Sequence, residues 1–273
     1  MAQSDTVFAG SIPALYDRYL GPLIFEPYAG DLAQRIGGGA AERVLETAAG
    51  TGVLTRALAA SLPGAAKIIA TDLNQPMLDF AAAQPGVDRV QWQQADALAL
   101  PFPDRSFDVV ACQFGAMFFP DKVTAFRETL RVLQPGGRFV FSVWERIEEN
   151  EFADVATAAV AALFPRDPPS FFPRIPHGYH DTGAIRADLA AAGFGRIEFE
   201  TIVHRSRAAS PRDAAIGLCQ GTPLRNEIEA RDPSRLGEAT DSAEAALAAR
   251  FGSGPIDGKM QALVVTASRQ EPQ

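Results

Sequence analysis

Apolar positions along this chain follow two rhythms that take turns. Short runs with the period or density of a β-strand occur at 43–47, 67–71, 89–93, 107–112, 138–143, 196–204 and 260–267. Between them lie stretches with helical spacing: from the glycine-containing turn after the first run through Leu62, at 76–83, at 121–133 and at 182–192. Such alternation predicts βαβ units and a mostly parallel sheet. The run Phe107-Asp108-Val109-Val110-Ala111-Cys112 is nearly continuous in apolar residues, as a strand buried on both faces must be. The run Arg89-Val90-Gln91-Trp92-Gln93 alternates instead, as expected at a sheet edge. Pro135-Gly136-Gly137 should end the helix at 121–133 and launch the fifth strand. Asp181 or Thr182 is placed to cap the helix at 182–192, and Gly193 to stop it.

Three segments fall outside this alternation. Residues 1–40 precede it and carry Tyr16, Tyr19, Phe25 and Tyr28; residues 145–181 follow the fifth strand; residues 205–259 separate the last two strands. In open α/β sheets ligands bind beyond the carboxyl ends of the strands, the edge from which these insertions emerge. They are therefore read as a cap, the plain alternative being ordinary surface elaboration. The expected organisation is one domain over 1–273. It has an N-terminal helical lid at 1–40, a core at 41–144, cap insertions at 145–181 and 205–259, and the rest of the core at 182–204 and 260–273.

Composition narrows the classes of function. With 273 residues, 47% of them hydrophobic, the chain can bury a full core. The balance of 25 Lys and Arg against 33 Asp and Glu, a net −8, gives no attraction to nucleic acid or to an anionic membrane surface. Met-Ala-Gln-Ser-Asp carries no cationic, apolar leader pattern, and the longest apolar stretch, Val155 to Phe164, is far shorter than the roughly 20 residues of a spanning helix. Two cysteines, Cys112 and Cys219, are too few for a disulfide framework or a paired-cysteine zinc site. These features fit a cytoplasmic monomer or homodimer acting on a small molecule.

The informative segment is Val44-Leu45-Glu46-Thr47-Ala48-Ala49-Gly50-Thr51-Gly52. Glycines just past a strand permit positive φ and let a ligand approach the backbone. A dinucleotide fingerprint would continue to a third glycine, but the sequence runs Gly50-Thr51-Gly52-Val53-Leu54-Thr55. Glu46 would repel a pyrophosphate, whereas it would attract the ammonium and sulfonium of S-adenosylmethionine. Asp72 ends the second strand, about twenty residues on, where a carboxylate can accept both ribose hydroxyls. Asp96-Ala97 follows the third strand, where it can receive the adenine amino group. A lone Asp at a strand end is more often a cap; the order on successive strands gives the combination its weight.

With those residues in place, the stretch from Arg43 to about Val143 resembles the class I methyltransferases, particularly the group that methylates ubiquinone and menaquinone precursors. Besides the glycine segment, Thr71-Asp72-Leu73-Asn74-Gln75-Pro76-Met77-Leu78, Leu100-Pro101-Phe102, Ser106-Phe107-Asp108 and Leu130 through Gly137 carry the likeness. The resemblance implies a Rossmann-like, seven-stranded α/β sheet with its last strand antiparallel, and S-adenosylmethionine as cofactor. It implies that Glu46, Ala48, Gly50, Thr51 and Gly52 hold the methionine end and that Asp72 takes the ribose. Leu73 and Met77 would flank the adenine, Asp96 and Ala97 bind its edge, and Gln113 line the methionine and acceptor side. Apart from the resemblance, Tyr16 and Tyr19 of the N-terminal segment are expected to close over the sulfonium. Ala48 stands where the family usually has its first glycine, and Glu46 where Asp is commoner. Neither removes a donor or a charge.

The acceptor is less legible. Phe114, Met117, Phe118 and Phe119 follow the fourth strand beside the expected methyl group, with Phe114, Phe118 and Tyr16 the candidate acceptor contacts. Cys112-Gln113-Phe114-Gly115 is not the signature of amino-group methylation on adenine or glutamine, and Gln113 stands where a metal-dependent enzyme would place a carboxylate. No metal site is expected. His177 and His180, at the junction of cap and core, are the candidate general bases; His204, at a strand end, reads as structural. The expected activity is O-, N- or C-methylation of a small organic acceptor. The alternatives are an NAD(P)-dependent oxidoreductase, opposed by Glu46 and Thr55, and a non-catalytic S-adenosylmethionine-binding regulator.

Overall fold

A computed structural model describes residue 5, residues 10–39 and residues 41–270. Parts of the expected lid (1–4, 6–9 and 40) and the last three residues of the core lie outside the described residues. Seven strands form one sheet: β1 (Arg43–Glu46), β2 (Lys67–Asp72), β3 (Val90–Gln94), β4 (Phe107–Gln113), β5 (Leu133–Trp144), β6 (Arg196–Ala208) and β7 (Ile256–Ser268). Their order is β3-β2-β1-β4-β5-β7-β6. All neighbours are parallel except β7, which runs antiparallel to both β5 and β6.

Helices α3 (Val53–Ser61), α4 (Gln75–Ala82), α5 (Lys122–Val132) and α8 (Thr182–Ala192) make the crossovers. Asp181 Oδ1 accepts the Ala184 N–H at 2.9 Å, and Gly193 ends α8 with φ of 104°. The buried β4 and its neighbour β5 supply Phe107, Phe139 and Phe141 to a continuous apolar core, with Phe126 of α5 against them.

Three strand ends lie several residues outside the expected bounds, the start of β5, the end of β6 and the start of β7. The fifth strand begins at Leu133 rather than Arg138, because Leu133 already pairs with Phe107 and the ladder resumes, after an irregularity, with Val109 opposite Arg138. Strands β6 and β7 pair residue for residue from Arg196 with Ser268 to Ala208 with Ile256, so the second insertion is confined to 209–255. Long antiparallel partners extend each other in this way, since each added residue satisfies backbone groups on both.

The remaining helices lie outside these crossovers. They are α1 (Ile12–Leu15), a π-helical segment (Tyr16–Phe25), α2 (Glu26–Gly37), α6 (Glu151–Leu163), α7 (Phe171–Arg174), α9 (Pro211–Gln220), α10 (Leu224–Arg231) and α11 (Leu236–Phe251). Helix α11 packs on α6 and α9, and α9 packs on the π-helical segment. Arg174 joins the two ends of this layer, pairing with buried Asp5 and with Glu227 at 2.7 Å each. No helix among the described residues is long and apolar enough to cross a membrane.

The helices beside the crevice are anchored by arginines that reach their carboxyl ends. Arg89 donates to Ala59, Leu62 and Pro63 carbonyls at 2.7–2.9 Å and to Ala66 at 3.3 Å, satisfying the end of α3. Charged donors on several carbonyls make Arg89→Ala cost about 1.5–3 kcal/mol, measured by urea unfolding. Arg89→Lys should recover only part of it, because a single ammonium cannot span the same carbonyls.

Candidate functional site

The sheet order reverses between β1 and β4, and the crevice opens where the two strands end. The turns leaving them adopt left-handed backbone at non-glycine residues: Ala48 has φ of 53° and Phe114 has φ of 53°. The turns approach so closely that a Cβ on Gly115 would lie 2.4 Å from the Ala48 Cβ and 2.8 Å from Cys112 Sγ. Gly115 thus provides the space that Ala48 occupies. Gly50 and Gly52 continue the left-handed turn, and a Cβ on Gly52 would meet Trp92 and Ala81 at about 3 Å.

Above these turns lies a cavity of about 310 Å³. Glu46, Ala48, Gly50, Thr51, Asp72, Leu73, Met77, Asp96, Ala97 and Gln113 all line it, as do Tyr16, Phe114 and Phe118. Gly52 lies just behind the wall as the residue preceding α3. Glu46 is 1% exposed and its Oε2 accepts the Thr55 hydroxyl at 2.6 Å. Burial, aided by the nearby Asp72, pushes its carboxyl up to about 8. Asp72 is also raised by burial, although its oxygens accept the Gly50 and Asn74 N–H groups at 2.9 and 2.8 Å. At the mouth Leu73 is 52% exposed while Met77 is buried beneath, leaving an apolar slot open to solvent.

Two buried polar atoms on the wall have no protein partner, Thr51 Oγ1 and Gln113 Oε1. The Gln113 orientation is fixed by its own Nε2, which donates to the Phe25 carbonyl at 2.8 Å. Buried carboxylates, unpartnered acceptors and an apolar slot together suit a ligand with cationic, hydroxyl and flat aromatic parts. S-adenosylmethionine has all three.

A second, smaller cavity of about 70 Å³ adjoins the first, and Tyr16, Phe25, Phe114 and Phe118 border both. Phe114 stacks on Trp144 with centroids 3.7 Å apart, and Tyr16 stacks on Phe25 at 4.8 Å. His177 lines this chamber; its Nδ1 lies 2.7 Å from the Glu145 carbonyl, and burial lowers its pKa to about 4. His180 does not border either cavity, and its Nδ1 meets the His177 carbonyl at 2.8 Å.

Tyr19 is also absent from both walls, contrary to expectation. Residues three apart share the face of an α-helix, but Tyr16–Phe25 is wound with π-type bonds, the Glu26 N–H reaching back to the Gly21 carbonyl. In that winding Tyr16 shares its face with Leu20 and Phe25. Tyr19 turns instead toward Gly217, beneath the Arg18 guanidinium.

The sequence motifs contained Gly115 and Asn74 without assigning either a role, although a glycine two residues past the fourth strand was a usable signal. Phe25 was visible only as one of several aromatics, and nothing local marks Trp144 or Asn150 as lining a chamber.

Comparison with known proteins decides the family. A methyltransferase domain model matches residues 45–141. A demethylmenaquinone methyltransferase of Clavibacter sepedonicus is 34% identical over 197 residues, covering 64% of this chain and 79% of the relative. The chain belongs to the class I S-adenosylmethionine-dependent methyltransferases. A ubiquinone/menaquinone biosynthesis C-methyltransferase of Ectopseudomonas mendocina is 31% identical over 173 residues, 59% of this chain and 68% of that one. In fold the methyltransferase is similar to the YcgJ protein of Bacillus subtilis, with a TM-score of 0.56 at 23% identity over 90% of this chain and all of that one. It is also similar to a phosphoethanolamine N-methyltransferase of Haemonchus contortus in complex with S-adenosyl-L-methionine, with a TM-score of 0.58 at 16% identity over 96% and 57% of the two chains. The enzyme uses S-adenosylmethionine to methylate a small molecule; no support remains for the oxidoreductase or regulator alternatives.

Two outcomes follow from the wall of the first cavity. Gly115→Ala should cost about 1–3 kcal/mol through overpacking against Ala48. Adding Ala48→Gly should return part of that loss, a non-additivity that a four-member unfolding cycle reads directly. Glu46 holds its proton more tightly folded than unfolded, so its contribution to stability declines as pH rises from about 4.5 to about 8. Unfolding measured across that window should show the decline reduced in Glu46→Gln and, with S-adenosylmethionine bound, in the wild type. Parallel curves for the wild type and the variant would place the proton elsewhere.

Proposed function

We propose that the first cavity holds S-adenosylmethionine and the second holds a small, uncharged ring compound that receives the methyl group. The observation that carries this reading is the shared wall of Tyr16, Phe25, Phe114 and Phe118 between an acidic chamber and an apolar one. When bound, the cofactor supplies a methyl group activated by positively charged sulfur. Glu46 and Gln113 Oε1 would face the ammonium and methionine end. Asp72 would accept the ribose hydroxyls with the lone pairs that Gly50 and Asn74 leave free, and Leu73 with Met77 would sandwich the adenine.

The protein's share of the reaction is then alignment and exclusion of water. The aromatic wall fixes the plane of the acceptor, and helices α6, α7 and α9 add Phe152, Phe171 and Leu218 to the lining of the chamber. His177, whose conjugate acid is driven down to about 4, is a poor proton acceptor for a phenol, and His180 borders neither cavity, so neither histidine serves as general base in this reading. The relatives' names point to a ring carbon as the methylated atom, and the apolar character of the second chamber agrees with that.

Calorimetry with S-adenosylhomocysteine tests the cofactor placement. Asp72→Ala should weaken binding by about 1.5–3 kcal/mol, roughly tenfold to 150-fold, through loss of charge-assisted hydrogen bonds. A thermal melt of the variant separates this from loss of the Gly50 anchor. Unchanged affinity in a folded variant would move the ribose away from Asp72.

A further inference from the structure

The second chamber is walled mainly by apolar and aromatic side chains, among them Trp144, whose indole N–H can only donate. Five side chains that carry a hydrogen-bond acceptor or a charge line it without also lining the first cavity: Asn150, His177, Ser206, Thr222 and Lys259. Asn150 Nδ2 is directed at the carbonyls of Glu145, Arg146 and Gln261, and its Oδ1 accepts the Gln261 N–H. Ser206 donates its hydroxyl to the Leu23 carbonyl at 3.0 Å. Thr222 donates to the Leu218 carbonyl and accepts from the Leu224 N–H. Lys259 places its ammonium 2.5 Å from Glu149. Each of these four is committed to holding the helical layer together.

His177 differs. A carbonyl oxygen can only accept, so the 2.7 Å contact with the Glu145 oxygen places the ring proton on Nδ1 and leaves a lone pair on Nε2. No hydrogen bond among the described residues engages Nε2, and the ring lines the chamber. The ring is 5% exposed and held between Trp144 and Phe172, with centroids 6.2 and 6.3 Å away. It can neither turn toward solvent nor gain a second proton cheaply, because burial opposes the charge. No unpaired carboxylate borders the chamber to recruit a cation. One face of each of Phe114 and Trp144, which could otherwise attract one, is taken up by their mutual stack.

We propose that His177 Nε2 is the specificity-determining hydrogen-bond acceptor of the second chamber and selects an uncharged ring compound carrying a hydroxyl group. This deepens the reading of the chamber as the acceptor site and rests on it. The hydroxyl donates to Nε2 and stays protonated; the bond orients the ring along the aromatic wall, so that one edge faces the first cavity. Once a ring covers it, a lone pair left unpaired disfavours the same ring without its hydroxyl, which is how one hydrogen bond becomes discrimination.

Phenol and toluene, alike in shape and differing by the donor, are the probes. The full-length protein is first saturated with S-adenosylhomocysteine, and each probe is then titrated by NMR. In the wild type, phenol should move the ¹⁵N resonance of His177 Nε2 while toluene leaves it in place, with Nδ1 remaining protonated throughout. In His177→Phe the affinity ratio of phenol to toluene should fall by about tenfold, the loss of one neutral hydrogen bond. His177→Gln, which restores an acceptor, should recover part of the ratio. Because the resonance is read in the wild type, a variant that fails to fold does not decide the matter. If both probes bind and Nε2 does not respond to phenol, or the ratio is unchanged in folded His177→Phe, the role of His177 is overturned and the acceptor chamber stands. If neither probe enters while S-adenosylhomocysteine binds normally, the acceptor chamber is wrong and the proposal falls with it.

Discussion

The near contact between Ala48 and Gly115 fixes the width of the crevice. Strands β1 and β4 are direct neighbours, with Glu46 opposite Ala111, so their turns must diverge within a few residues or collide. They avoid collision by left-handed backbone at Ala48 and Phe114 and by the missing side chain at Gly115. Both left-handed residues are non-glycine, a conformation that costs energy and persists only when the surroundings impose it. Here the imposing elements are the Thr47 N–H on the Ala111 carbonyl, the Phe114 N–H on the Ser142 carbonyl, and the stack of Phe114 on Trp144. The Phe114 ring in turn is part of the wall between the two chambers.

That wall separates two electrostatic environments. On one side Glu46 and Asp72 are desolvated together, each burdened by burial and Glu46 also by its neighbour. On the other side every charge is already paired, as Lys259 is with Glu149. Burying uncompensated carboxylates opposes folding, and the fold tolerates it because the strands beneath are packed with Leu45, Val110, Phe139 and Phe141, all fully buried. A cationic ligand between them would offset that penalty.

Legibility in the sequence followed the range of the interactions. Strands, crossover helices and the acids at strand ends are written in local periodicity and spacing, and Glu46, Asp72 and Asp96 are indeed brought to one cavity. What escaped depends on partners far away in the chain. Gln113 is oriented by Phe25, His177 by Glu145, and Arg174 ties α7 to Asp5. Tyr19 was misplaced because apolar spacing does not distinguish α from π winding over one or two turns. His177 and His180, equal as residues in the sequence, part company only because one ring lies under the helical layer and the other beside it.

The far edge of the sheet carries a constraint of another kind. Strand β6 is thirteen residues long and, among the described residues, pairs only with β7, so its outer backbone could template a strand from another chain. Its exposed positions include Arg196, Glu198, Glu200, Arg205 and Arg207, and Arg35 of α2 reaches across to bind Glu200 at 2.6 Å. A strand added alongside would bury these charges and break that clamp. The enzyme can therefore carry a long, well-formed ladder at its margin and remain protected against edge-to-edge aggregation.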